Sequence, residues 1–331
     1  MTLKVLVSGY GNIAKRHINN LMLLADITHL VVVRRSAAQL DQQYSFPVTV
    51  YSALDEALSA HTFDIAFVCS PAPQHAPQAL RLFELGIPCF LEKPLCQTQQ
   101  QAQALLAQHK HHPVPVMLGY DLRFTQGYAQ LKRLLQQLNL GTIWRISAGV
   151  GQYLPDWRPG KPYQSCVSAR KSLGGGVLRE LSHELDYLIG LFGIKLNKVG
   201  VLKTVHPSLE MDCENEAQIL AMATIDGQQE QVSTHVSLDM LSRKAFRTLK
   251  VSGTEGELVW DAIAQTLLIH NGVEERIVEV FEEGNQPYIR MMQVFLDKIA
   301  HWQCDDAELR QGIAVQSLIE QIEQEDVQIH G

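Results

Sequence analysis

The stretch Val5-Leu6-Val7-Ser8-Gly9-Tyr10-Gly11-Asn12-Ile13-Ala14-Lys15-Arg16-His17 decides the fold. An apolar run feeds a Gly-x-Gly-x-x-Ala turn, and the turn opens a segment of helical period. This is the physical form of a dinucleotide-binding βα unit. Gly9 permits the tight turn, Gly11 lets the backbone approach a pyrophosphate, and Ala14 is small enough for helix to pack on strand. The free N–H groups and positive dipole end of the helix then face the phosphates. Tyr10, Asn12 and Ile13 complete that candidate cofactor-binding turn.

Outward from this unit, strands and helices alternate to about Tyr120. Strands are expected at Leu3–Ser8, Thr28–Val33, Asp64–Cys69, Ile87–Leu91 and Val114–Leu118, with helices at Ile13–Leu24, His75–Leu85 and Thr98–His109. Continuous apolar strands separated by helices argue a doubly wound parallel sheet. In such sheets ligands meet the carboxyl ends of the strands. Three short segments lie there. Arg34-Arg35-Ser36 follows the second strand, where an acid would bond the ribose of NAD; two arginines and a serine favour NADP, with NAD as the alternative. Cys69-Ser70-Pro71 leads to His75, read either as a cofactor contact or as a surface histidine. Glu92-Lys93-Pro94 ends the fourth strand, and the proline restricts Lys93 to extended conformations.

Composition bounds the rest. With 331 residues, two domains are the default, and 46% hydrophobic with 19% charged residues describes an ordinary globular chain. A net charge of −7 gives no basic footprint for nucleic acid. No apolar run reaches the ~20 residues that span a bilayer. The start of the sequence lacks the pattern of a secretory leader. The six cysteines include no Cys-x-x-Cys pair, so we expect reduced thiols in a cytoplasmic protein and no metal site.

The ordered set Gly9-x-Gly11-x-x-Ala14 with His17, then Glu92-Lys93-Pro94, then Gly174-Gly175-Gly176 leading to His183, resembles the signature of the Gfo/Idh/MocA oxidoreductases. The resemblance covers essentially the whole chain. It implies an N-terminal Rossmann domain at 1–120 for NAD(P) and a C-terminal α/β domain at 121–331. The latter would be built on a mostly antiparallel open sheet and form a homodimer or homotetramer through it. It also implies catalytic roles for Lys93 and His183. Members commonly carry an aspartate four residues before that histidine; here the place holds Arg179, with Glu180 beside it. The segment from Val150 to Gly160 and the helix from Glu180 to Tyr187 resemble a subgroup tied to bacterial surface-sugar metabolism.

The second half reads as a helix at Tyr128–Leu138, a strand at Thr142–Gly149 and a long loop from Gln152 to Arg170. Tyr153, Trp157, Arg158 and Arg170 in that loop, with Tyr120 and Arg123 before it, could stack on a sugar ring and contact a carboxylate or phosphate. The triple glycine then opens a helix to Phe192, on which Glu180, His183, Glu184 and Tyr187 share a face. Asp186 is the first candidate to orient His183 and Glu180 the second. Consecutive strands from Val199 to Val280 argue an antiparallel sheet, and helices at Tyr288–His301 and Ala307–Glu323 close the chain.

The expected reaction is hydride transfer between a nicotinamide cofactor and a carbinol or carbonyl carbon of a sugar-like molecule. Lys93 hydrogen-bonds the reacting oxygen, and His183 serves as general base or acid. Two rivals stand beside it: a reductase of an imine, diol or tetrapyrrole, and a cofactor-binding sensor without turnover.

Overall fold

The alternating apolar runs become strands β1 (Thr2–Ser8), β2 (Asp26–Val33), β3 (Val48–Tyr51), β4 (Ile65–Val68), β5 (Cys89–Leu91) and β6 (Val116–Leu118). Between them lie helices α1 (Asn12–Leu24), α2 (Leu54–Ala60), α3 (His75–Glu84) and α4 (Gln99–His111). The computed structural model describes residues 1–35 and 40–325. All six strands pair in parallel, in the order β3-β2-β1-β4-β5-β6. Val5, Leu6, Val7, Leu30, Val31 and Val32 are fully enclosed, as strands covered on both faces must be. The strand order reverses between β1 and β4, which places a topological switch point beside Gly9. The sequence reading passes over β3 and α2. All four residues of β3 are only half-buried at the sheet edge, so no apolar face shows in the pattern.

The chain continues with α5 (Gln126–Gln137), β7 (Ile143–Gly151), α6 (Val177–Glu180) and α7 (His183–Phe192). Then come β8 (Lys195–Thr204), β9 (Glu216–Thr224), β10 (Val232–Asp239), β11 (Phe246–Gly253), β12 (Glu257–Asp261), β13 (Thr266–His270) and β14 (Glu275–Glu279), followed by α8 (Gln286–Ala300) and α9 (Ala307–Gln324). These eight strands from β7 onward form one sheet ordered β14-β13-β12-β11-β7-β10-β9-β8, antiparallel except for β10 against β7. Alternate residues separate its faces. Ala148, Val150, Leu249, Val251, Leu258, Trp260 and Leu267 are buried on one side, which α5, α6 and α7 approach. On the other side Leu268, Val259, Lys250, Ser147, His235 and Leu220 lie in one cross-strand row.

Two compact units result: Met1–Asp121 with Asn285–Gln316, and Leu122–Gly284 with residues 317–325. The sequence reading has a single crossing near residue 120, whereas α8 and the first half of α9 belong with the parallel sheet. The reason is apolar packing. Phe295 is fully buried with its ring edge-on to Phe67 and Phe90, at 6.1 and 5.6 Å. Gly312 lies so close to Leu95 and Leu118 that a Cβ there would collide with both.

Candidate functional site

Each unit carries its own group of chemically equipped side chains. In the first, Gly9 has φ +87°, and a Cβ at this position would lie 2.5 Å from the carbonyl oxygen of Cys69. Only glycine fits there, and the same contact brings the exits of β1 and β4 together. Gly11 is the N-cap of α1, with no capping side chain, no acid in the first turn and open space where its Cβ would stand. The first-turn N–H groups therefore lack an intrahelical partner and face an uncluttered approach. These features fit a dinucleotide pyrophosphate. Asn12 and Ile13 open the helix. Tyr10 donates or accepts one hydrogen bond with Tyr44 at 2.8 Å, and its ring attracts Lys15 at 5.3 Å and Arg34 at 5.9 Å. Arg35 follows at a bend, and Ser36 lies outside the described residues.

Glu92, Lys93 and Pro94 follow β5, with the Lys93–Pro94 peptide cis. Glu92 is buried, and its Oε1 lies 2.5 Å from Nε2 of His17, itself fully enclosed on α1. His17 falls on the buried stripe Ala14, His17, Ile18, Leu21, so helical spacing delivers a polar ring to the core. Its pairing with Glu92, 75 positions away, has no signal in the sequence.

His75 corrects the sequence reading. It is not a surface residue, being 1% exposed, and both of its ring nitrogens face carbonyl oxygens of the protein. Its Nδ1 faces the Pro94 carbonyl at 2.8 Å and its Nε2 the Ser70 carbonyl at 2.7 Å. Burial pulls its pKa below the ordinary histidine value, against the opposing pull of the two carbonyls. The Ser70 hydroxyl is also committed, donating to Gln78 at 2.8 Å. Pro71 caps a 3-10 turn at Ala72–Gln74. Burial, then the Glu92 carboxylate, push the Cys69 thiol well up, so it stays protonated. Tyr120 is fully buried, so the expected substrate contact is a core ring.

In the second unit, Gly174 and Gly176 have φ +83° and +113°. A Cβ on Gly175 would strike the carbonyls of Val167 and Ser168, and one on Gly176 the Glu214 carboxylate. The triple glycine is thus a close-approach turn, stitched by Gly175 N to Arg170 O at 3.0 Å. The helix beyond it is not continuous. It stops at Glu180, the chain turns through Leu181 and Ser182, and α7 starts afresh at His183. Glu180 therefore does not share a helical face with His183; it accepts from Ser168 Oγ at 2.8 Å. His183 stands in the first position of α7 at 9% exposure. Asp186, expected to orient it, faces the Arg123 guanidinium in an ion pair of 3.3 Å. Arg247, which the sequence reading missed, donates from Nε to Glu184 at 2.8 Å, with Glu184 fully buried. A charged residue in the inward register of β11, in line with Leu249 and Val251, was its one available signal.

Residues 152–170 are not a structureless loop but a string of 3-10 turns at Leu154–Trp157, Tyr163–Ser165 and Val167–Ala169. Tyr153 already carries the Arg243 guanidinium 3.6 Å from its ring centroid. Arg170 Nε donates to Gln164 O at 2.7 Å, while Trp157 and Arg158 are half-buried. Arg179 makes a two-pronged ion pair with Glu323, with Nη2 to Oε2 at 3.1 Å. Among the described residues, no group of three or more His, Cys, Asp or Glu could hold a metal ion.

Residues 3–120 match an oxidoreductase family with an NAD-binding Rossmann fold, and residues 128–259 match the GFO/IDH/MocA C-terminal domain. An inositol 2-dehydrogenase/D-chiro-inositol 3-dehydrogenase of Shouchella clausii (strain KSM-K16) is 33% identical over 146 residues. That match covers 43% of this chain and 42% of the relative. A 3-ketoreductase from Actinomadura kijaniata, solved as a point mutant in complex with TDP-benzene and NADP, superposes with TM-score 0.81 at 17% identity. The match spans 98% of both chains. An oxidoreductase from Agrobacterium radiobacter in complex with NAD+, L-tartaric acid and magnesium gives TM-score 0.80 at 15% identity, over 98% of this chain and 96% of that one. At these identities the two structures show a shared fold.

Proposed function

We propose that this chain, which belongs to the Gfo/Idh/MocA oxidoreductase family, transfers hydride between a nicotinamide cofactor and a carbinol or carbonyl carbon of a sugar or sugar derivative. One observation carries the reading: Gly9, Cys69-Ser70 and Glu92-Lys93 follow the carboxyl ends of three adjacent parallel strands, β1, β4 and β5, at the switch point. When bound, the cofactor supplies the hydride chemistry. Lys93 is assigned to the reacting oxygen, where its ammonium stabilises developing alkoxide charge. His183 is assigned to the proton, as base in oxidation and acid in reduction. Asp186, three positions on in α7, is assigned to orienting that imidazole. The polyol and sugar class draws support from the inositol dehydrogenase relative. Arg158, half-buried in the second unit, suits an anionic derivative.

NADP(H) is the favoured cofactor, because Arg34 and Arg35 follow β2 with no acid beside them. A panel of polyols, sugars and sugar acids, read by nicotinamide absorbance with NADPH and NADH in parallel, tests both points. We expect turnover of at least one member, with kcat/KM about tenfold or more higher for NADPH, given about 1.5–3 kcal/mol for a charged hydrogen bond. Arg34→Asp should reverse the preference. Turnover confined to an imine or tetrapyrrole, or cofactor binding without consumption, would favour the rival readings.

The open face of the eight-stranded sheet is assigned to self-association, since Leu220 and Ile277 are 64% and 66% exposed on it. Sedimentation should show a dimer or tetramer, and Leu220→Lys should shift it toward the monomer; a wild-type monomer sinks the assignment. Among the described residues no helix is long and apolar enough to cross a membrane. Six free cysteines suit a cytoplasmic enzyme.

A further inference from the structure

We propose that His17 and His75 are positioning residues that grip the Glu92-Lys93-Pro94 turn from both sides and thereby fix where Lys93 presents its amine. The proposal rests on the assignment of Lys93 to the reacting oxygen.

On the side preceding the lysine, the grip is through a side chain. The Glu92 carboxylate meets His17 Nε2 at 2.5 Å. Opposite, it lies against Gly119, where a Cβ would stand 2.9–3.0 Å from the carboxylate atoms. His17 cannot swing away, because Phe67 and Phe90 pack on its ring at 5.7 and 4.5 Å. The carboxylate is held between a fixed ring and a fixed backbone.

On the side following the lysine, the grip is through the main chain. Pro94 has no N–H, so its carbonyl is what the residue offers a partner. It takes His75 Nδ1 at 2.8 Å. The other nitrogen of the same ring takes the Ser70 carbonyl at 2.7 Å. Ser70 N is among the atoms a Cβ on Gly9 would strike, at 2.6 Å. One buried ring therefore links the lysine-bearing turn to the wall of the dinucleotide turn. A neutral imidazole carries one N–H, so it donates to one of these two carbonyls and lies against the other; only the imidazolium would donate to both. Both histidines come from segments that also shape the cofactor edge, α1 and the start of α3. The placement of Lys93 is thus tied to the same frame that holds the nicotinamide cofactor.

The test compares His75→Phe, His17→Phe and His75→Gln in the cofactor-loaded protein. Phenylalanine keeps the ring volume without its donors, and glutamine keeps one donor. Amide hydrogen exchange is read by mass spectrometry on peptides spanning residues 89–97, with β1 peptides as the internal reference. We expect exchange at 89–97 to rise about tenfold or more in the phenylalanine variants while β1 is unmoved, and His75→Gln to recover part of the protection. On a substrate found by the panel, kcat should fall about 10- to 100-fold with KM for the cofactor nearly unchanged. Wild-type exchange at 89–97 in a folded His75→Phe protein overturns the proposal, as does a uniform rise across all peptides. Should His17→Phe fail to fold, the two His75 variants decide it. The exchange measurement needs no substrate. A protein that turns over nothing, yet loosens only at 89–97, would refute the functional reading and leave the positioning intact.

Discussion

In Lys93→Met, turnover falls about 100- to 10,000-fold, the range spanned by removal of one charged or proton-handling group at a reacting centre. Methionine retains a flexible chain of comparable length, so packing at the turn is conserved and the ammonium alone is removed. The anchors of the segment survive, because Glu92 N still donates to Val68 O at 2.9 Å and Gly119 N to Leu91 O at 2.8 Å. Cofactor affinity should stay within about twofold, since the turn that faces the pyrophosphate belongs to β1 and α1. Fluorescence titration with NADPH and a single-substrate rate measurement check the two halves separately. A variant that turns over like the wild type removes Lys93 from the chemistry. One that loses cofactor binding as well makes it a structural residue.

Arg247→Met should give the largest loss of stability. Glu184 is fully buried and accepts from Arg247 Nε at 2.8 Å, with the guanidinium 13% exposed. Removing the cation leaves the carboxylate in the interior without its strongest partner, at a cost of about 3–5 kcal/mol. For 331 residues unfolding together that lowers the unfolding midpoint by about 4–7 °C. Replacing both members, Arg247→Met with Glu184→Leu, should recover most of the loss, because no uncompensated charge remains. Calorimetry on the three proteins reads the result. A single variant within about 1 kcal/mol of wild type would mean the pair is not electrostatically isolated.

The parallel unit was legible because its signals are local. Gly9, Gly11 and Ala14 fall within six residues, and continuous apolar runs such as Leu30–Val33 mark strands buried on both faces. Lys93, proposed to meet the reacting oxygen, stood out as the second residue after a strand. What remained hidden depends on partners distant in the chain. His75 reads as polar and loop-adjacent, yet two carbonyls 5 and 19 positions away hold it in the core. The interruption at Leu181 is hidden because no proline marks it, so the helical period runs on from Val177 to Phe192. The return of α8 to the first unit is hidden because an amphipathic helix does not say which sheet it covers. Arg123, which forms an ion pair with Asp186 from 63 positions earlier, is another partner that the local pattern does not announce.

The Arg179–Glu323 ion pair constrains how this chain can diverge. Arg179 stands four residues before His183, and its partner lies near the end of α9. An aspartate there alone would set two carboxylates against each other, so Arg179→Asp should cost more stability than Arg179→Asp combined with Glu323→Arg. The glycine-rich turn and α9 are thereby coupled in the substitutions they tolerate, although the paired positions lie 144 residues apart.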